Sequence, residues 1–141
     1  SDVCSSDLMT PLQAARGHLT KAQEFLAEAK SALANNHPNA ATSNAVIAGI
    51  NAKDAICLVL VGTTSKADDH RQAVTELRKA GKIGADLAVT LDRLLKPKTK
   101  SQYQSLSMVI NDADTAVNQA ARLVQAAERV VPPAPPGESG R

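Results

Sequence analysis

The chain has 141 residues, a formal net charge of +2 and 43% hydrophobic residues, values typical of a single globular domain. Of its two cysteines only Cys57 lies in an apolar run, so the sequence does not predict a disulfide-stabilised extracellular fold. We find no secretory signal and no apolar run near the roughly 18 to 20 residues of a membrane span, and we therefore expect a cytoplasmic protein without a membrane partner.

The two ends of the chain are expected to lie outside the folded domain. Residues 1–8, SDVCSSDL, have no helical or strand periodicity and resemble translated sequencing-adapter read-through. Without Asp2 and Asp7 the net charge moves from +2 to +4. Residues 132–141 contain four prolines within five positions, which favours a disordered, extended tail, with a proline-rich docking segment as the alternative. The predicted domain is therefore 9–131.

The first two helices are predicted from hydrophobic periodicity. Residues 11–33 place leucines and alanines at steps of three and four, which gives one apolar stripe. The ANNHPN segment at 34–39 then breaks the helix. Residues 39–61 are apolar on nearly every side, so we expect this second helix to be central and buried.

Three shorter helices follow. Ser65 is expected to open the third, with Asp68 completing an approximate capping box and Gly81 ending it. The fourth covers 83–95, and the fifth begins near Asn111. Because no segment alternates with period two, the sequence predicts an all-α, up-and-down bundle of four to five helices. Its alanine-rich core would bury little apolar area per residue, which favours a homodimer.

The second and third helices carry a family resemblance. AGINAKDAICLVLVG, a polar turn and SKADDHRQAV resemble the HEPN superfamily, whose second helix ends in a small residue before a K-x-x-x-H pattern; here Lys66 and His70 occupy that pattern. The later KTKSQY and DADTAVNQAARLVQAAERV are similar to the closing half of actinobacterial members, so the resemblance spans about 12–130. It implies a helical bundle that is a metal-independent RNase, a toxin, or the noncatalytic partner of a nucleotidyltransferase.

The RNase motif of that superfamily is missing from this chain. Its RNase members have an arginine separated by four to six residues from a histidine. Before His70 the corresponding positions, 63–65, read TTS, and the equivalent positions before His18 and His37 also lack arginine. The missing motif removes the main reason for regarding this chain as an enzyme.

Two groups of residues are nevertheless candidates for chemistry. We expect His70 to lie on the inward face of the third helix, where it could act as a general acid or base with Arg71 or serve only as a core hydrogen-bonding group. Asp54 lies mid-helix among apolar residues and must be paired, so we expect it to contact His70, Lys66 or the GTTSK loop.

Further polar residues surround these candidates. The candidate ligand-binding residues are Lys53, Ser65, Lys66 and Asp69, and the candidate nucleic-acid contacts are Lys96, Lys98 and Lys100. The lysines could also form an ordinary solvated turn, and Ser65 at a helix N-terminus could attract an anion weakly. No set of residues has metal-ligand spacing, so we expect no metal and no cofactor.

These observations lead to one main hypothesis and two alternatives. The main hypothesis is a noncatalytic HEPN-like interaction module, either the partner of a nucleotidyltransferase or part of a toxin–antitoxin or defence system. The first alternative is a divergent metal-independent RNase that uses His70. The second is a helical domain with a purely structural role.

Overall fold

The computed structural model describes residues 9–66, 69–96 and 105–137, and five α-helices account for most of them. In chain order the helices are α1 (Pro11–Ala34), α2 (Pro38–Leu60), α3 (His70–Arg78), α4 (Gly81–Leu95) and α5 (Leu106–Val130). The described ranges contain no strand, which confirms the predicted all-α bundle.

Local capping explains where α1 starts and stops. The Thr10 hydroxyl accepts the Gln13 backbone N–H at 3.1 Å, and the Gln13 side chain accepts the Thr10 N–H at 3.0 Å, so both partners of a capping box are present. After the helix, Asn36 adopts a φ of +61°, a left-handed conformation that asparagine tolerates better than most residues. The resulting tight turn sends α2 back along α1.

Helix α2 is the central element, as its apolar sequence predicts, because it contacts each of the other four helices. Alanine is the commonest of its buried residues, and Gly49 faces Leu94 of α4 and Leu123 of α5 so closely that a Cβ atom would collide with Leu94. By length and composition α2 could also cross a membrane, with a mean hydropathy of 1.3, although it contains no uninterrupted apolar run of that length. Its position at the centre of the bundle accounts for the apolarity of its buried face.

Helix α3 begins later than predicted. Its first residue is His70, and Asp69, not Ser65, provides the N-cap by accepting the Arg71 backbone N–H at 2.9 Å. Ser65 remains in the loop, where its own backbone N–H points to Glu76 Oε1 at 3.4 Å. The proposed capping partner Asp68 lies outside the described residues.

Helix α5 and the segment that follows it both contact α1. Helix α5 begins at Leu106, five residues before the predicted start at Asn111, and its buried face packs on α1, α2 and α4. Residues 132–137 are not helical, and the Arg16 guanidinium donates to the carbonyl oxygens of Pro132 at 3.1 Å and Pro133 at 3.3 Å. The start of the proline-rich segment is therefore held against α1.

Candidate functional site

The structure separates the sequence-predicted residues into two groups. A buried charge cluster between α2, α3 and the loop that joins them contains Lys53, Asp54 and Ser65. A groove between α3 and α4 is lined in part by Asp69, His70, Arg71 and Lys96. Lys66 is exposed in the loop and belongs to neither group, and Lys98 and Lys100 lie outside the described residues.

Lys53 is the centre of the buried charge cluster. Only 2% of its side chain is exposed, although it carries a charge. Its ammonium group donates to Asp54 Oδ1 at 3.0 Å, to Thr64 Oγ1 at 2.8 Å and to Glu76 Oε1. An ammonium group has three hydrogens, so these three acceptors satisfy it completely.

Asp54 makes one of the contacts predicted from sequence. Its Oδ1 accepts the Thr64 hydroxyl at 2.6 Å, which joins α2 to the GTTSK loop, whereas no hydrogen bond links it to His70 or Lys66. Its Oδ2 lies 3.7 Å from His18 Nδ1 on α1. Asp54 thus holds the loop in place, and the proposed pairing with His70 is wrong.

The cluster shifts the proton affinities of its members. Burial alone would lower the pKa of Lys53, but the hydrogen bond to Glu76 and the charge of Asp54 outweigh that effect and raise this pKa above its ordinary value. For Glu76, burial opposes ionisation, yet the hydrogen bonds from Lys53 and Ser65 lower its pKa. Burial raises the pKa of the nearby Cys57 thiol to about 11, so this sulfur is protonated and unreactive at neutral pH.

Two members of this region were not identified from the sequence. Glu76 lies 23 positions after Lys53, so no local spacing reveals the pair; the available signal is that a lysine in a buried helix needs a carboxylate partner. On the other side, Asn51 donates through Nδ2 to the Ile47 carbonyl at 3.0 Å. This orientation leaves its Oδ1 to accept from His18 Nδ1 at 2.9 Å.

His70 does not point into the core as expected. It is the first residue of α3 and is exposed, whereas the buried face of the helix consists of Ala73, Val74 and Leu77. Although His70 falls on that face by spacing, its position at the helix end leaves its side chain in solvent. The expectation that His70 is a core histidine is therefore wrong, and its imidazole lines the groove between α3 and α4.

The groove between α3 and α4, here called the basic groove, has a volume of about 510 Å³. Its α3 side presents Arg71, Val74, Thr75 and Arg78, with Asp69 and His70 at the start of the helix, and its α4 side presents Asp92, Leu95 and Lys96. Lys96 Nζ lies 3.9 Å from Asp92 Oδ2, and both side chains are more than half exposed. The groove thus combines several cations with an apolar floor.

Neither site has the composition of a metal centre. Among the described residues no group of three or more histidine, cysteine, aspartate or glutamate side chains comes close enough to hold an ion. In the buried charge cluster both carboxylates bind the Lys53 ammonium group, which occupies the position that a metal ion would take. The Lys53 ammonium group and the carboxylates of Asp54 and Glu76 therefore neutralise one another.

Comparison with models of protein families gives a match over most of the chain. The family model of the HEPN domain matches residues 15–130, most of the chain and every helix described above. Searches of curated proteins and of solved structures gave no significant match. The matched region covers far more than half of the sequence, and its all-α architecture agrees with the helices observed. This chain belongs to the HEPN domain family.

Proposed function

We propose that this HEPN domain is a noncatalytic binding module that acts through a protein partner, either a nucleotidyltransferase or the second component of a toxin–antitoxin or defence pair. We also propose that it works in the cytoplasm, since α2 lies at the centre of the bundle and has the apolarity that this position requires.

The loop before His70 is the observation that carries this proposal. In RNase members an arginine would stand at one of positions 63–65, but here those positions are two threonines and a serine. Thr64 donates to Asp54, and the Ser65 backbone donates to Glu76, so the loop closes the buried charge cluster. These contacts give the loop a structural role at the place where a catalytic arginine would be expected.

Affinity capture tests the proposal directly. The tagged full chain is incubated with lysate of its source organism, with and without added RNase, and the bound proteins and RNA are identified. We expect a protein in stoichiometric amount that stays bound after RNase treatment. Recovery of RNA alone, shortened during the incubation, would contradict a noncatalytic role.

The divergent RNase is a second candidate, favoured by one observation. His70 and Arg71 are both exposed and line the basic groove with Arg78 and Lys96, so a proton-transfer group lies beside cations that could bind phosphate. The purified chain is incubated with labelled RNA, and the His70→Ala variant serves as the control. Cleavage that this variant abolishes while its circular dichroism is unchanged would favour the RNase.

A homodimer is the assembly that we propose for the module. Leu60 and Ile83 are 44% and 50% exposed and line a second groove of about 360 Å³, and Val61 beside them is 52% exposed. Sedimentation equilibrium should give twice the 14.7 kDa chain mass, and Ile83→Lys should restore the single-chain mass. If the wild-type protein has the mass of a single chain at every concentration, the proposed dimer is wrong.

A further inference from the structure

We propose that the basic groove binds a short acidic helix of the protein partner, with two carboxylates that pair with Arg71 and Arg78 and aliphatic side chains between them. The inference rests on the proposed function, because it specifies the surface and the chemistry through which the partner is recognised. It differs from the RNase alternative, in which the same groove would hold RNA.

The spacing of the groove residues on α3 suggests a helical ligand. Arg71, Val74, Thr75 and Arg78 stand at positions i, i+3, i+4 and i+7, so they form one stripe along the helix. The two arginines are two turns apart, about 10.5 Å along the axis at 1.5 Å per residue. A ligand helix with acidic residues seven positions apart and aliphatic residues between them reproduces this spacing.

The two arginines are free to pair with such a ligand. Among the described residues neither the Arg71 nor the Arg78 guanidinium forms an ion pair or a side-chain hydrogen bond. Both lie at the rim of the groove, above a floor formed by Val74 and Leu95, each only 5% exposed. Because arginine binds carboxylates through two parallel hydrogen bonds, the rim provides direction as well as charge.

The composition of the groove favours an acidic peptide over a nucleic-acid strand. Asp69 and Asp92 also line it, so the three basic side chains exceed the acidic ones by only one charge, and a strand with a phosphate at every nucleotide would meet repulsion from the two carboxylates. The described groove residues include no phenylalanine, tyrosine or tryptophan, so the imidazole of His70 is the one ring among them on which a base could stack. A ligand with two well-placed carboxylates avoids both problems.

Charge also argues against the segment that directly follows the groove as the ligand. Residues 97–104, which follow Lys96, read PKTKSQYQ and carry two lysines without an acidic residue. Such a segment has the same sign of charge as the arginines of the groove. A partner with acidic side chains is the electrostatically complementary occupant.

The first test uses fluorescence anisotropy with the full chain. The probe is a fluorescein-labelled helical peptide with glutamates seven positions apart and leucines at the two middle positions; a control peptide of equal composition has adjacent glutamates. We expect saturable binding of the probe and at least tenfold weaker binding of the control. The Arg71→Glu/Arg78→Glu variant should lose at least tenfold in affinity, whereas Lys21→Glu/Lys30→Glu, an equal charge change at exposed positions of α1 outside the groove, should not.

Several outcomes would overturn the inference. Equal binding of both peptides, or an equal loss of affinity in Lys21→Glu/Lys30→Glu, would show non-specific attraction of charge. Binding of a labelled RNA oligonucleotide in the groove without binding of the probe would assign the groove to RNA. Circular dichroism shows whether each variant is folded. If Arg71→Glu/Arg78→Glu does not fold, Arg71→Gln/Arg78→Gln is used in its place.

The capture experiment separates this inference from the proposed function. If the wild type and Arg71→Glu/Arg78→Glu retain the same protein equally well, the groove inference is wrong and the binding module stands. If the wild type retains no protein and cleaves RNA, the binding module itself is wrong. A partner that the wild type retains and the double variant loses supports both, provided that the peptide probe also binds.

Discussion

Lys53 determines the charge balance of the core. It is a fully buried ammonium group with three hydrogen-bond acceptors, and two of them are carboxylates from different helices. A buried pair of this kind adds little net stability compared with apolar residues of the same volume, but removing one partner leaves a charge without compensation. The cluster therefore makes the fold depend on each of its members.

Replacing Lys53 with methionine should destabilise the protein strongly. The change keeps most of the side-chain volume but leaves Asp54 and Glu76 facing each other without a cation, which should lower the free energy of unfolding by about 3 kcal/mol. Urea denaturation measures this. The matched control is Lys96→Met, which breaks an exposed ion pair and should cost less than about 1 kcal/mol. Equal losses would show that burial of the cluster has no energetic consequence.

The pH dependence of stability should depend on Glu76. Because the folded state lowers the pKa of Glu76, its ionisation stabilises the fold above the ordinary value of 4.5, and this stability is lost as the pH falls through the lower folded pKa. Glu76→Gln should therefore be less stable than the wild type at pH 7, and the difference should shrink below pH 4.5. Urea denaturation from pH 7 to pH 3 measures it, and a difference that does not change with pH would contradict the assignment.

At the scale of the elements, the backbones of α3 and α4 come into close contact at the junction between the two helices. Gly81 has a φ of +76°, and Gly84 one turn later lies so near α3 that a Cβ atom would collide with the Leu77 carbonyl oxygen. A carbonyl oxygen cannot move aside as a side-chain tip can. The geometry of the basic groove, which lies between these two helices, therefore depends on this contact.

Gly84→Ala should destabilise the protein although it improves helix propensity. Propensity alone would stabilise α4 by roughly 1 kcal/mol, but the collision with Leu77 and Ala80 should reverse the sign and cost about 1 to 3 kcal/mol. Gly17→Ala is the control, since Gly17 is exposed in α1 with open space around it and should gain stability. Thermal denaturation compares the two; a gain at Gly84 would mean that the helices can separate at no cost.

The helices also show how far periodicity alone can predict this structure. The limits of α1, α2 and α4 agree with the sequence-based prediction to within two residues, because each has a regular apolar pattern and a clear break after it. The start of α3 was placed too early because both Ser65 and Asp69 are good capping residues. Glu76, far along the chain, binds the Ser65 backbone, and such a contact has no local signal.

At the scale of the whole molecule, the sequence identified candidate residues better than it grouped them. Asp54 is expected to be paired because it is an acid in a buried helix, and it contacts both Lys53 and Thr64, whereas the roles of Lys53 in ligand binding and of Asp54 in catalysis stay predictions. His70 and Lys96 were placed on separate elements, and only the packing of α3 against α4 brings them to one groove. The groove could not be predicted, because it depends on the relative position of two helices and not on either one.

Cys57 should report on the opening of the whole bundle. It is 1% exposed in α2, and burial raises the pKa of its thiol to about 11. In a Cys4→Ser variant, Ellman's reagent at pH 8 should react with Cys57 only after the bundle opens, at least 100-fold more slowly than in denaturant. A rate within tenfold of the denatured protein would show that α2 is accessible without global opening.

The length of the loop between α2 and α3 is fixed by the hydrogen bonds that Thr64 makes with Asp54 and Lys53. Thr64 reaches back ten residues to Asp54, and its hydroxyl also accepts from Lys53, so the chain between them must span a fixed path. One inserted residue after Leu60 would move the threonine out of reach, and a buried carboxylate would lose a donor. Surface loops ordinarily accommodate insertions at small cost. Homologous chains that keep the lysine and the aspartate should therefore show constant loop length here, even where the rest of the loop sequence varies.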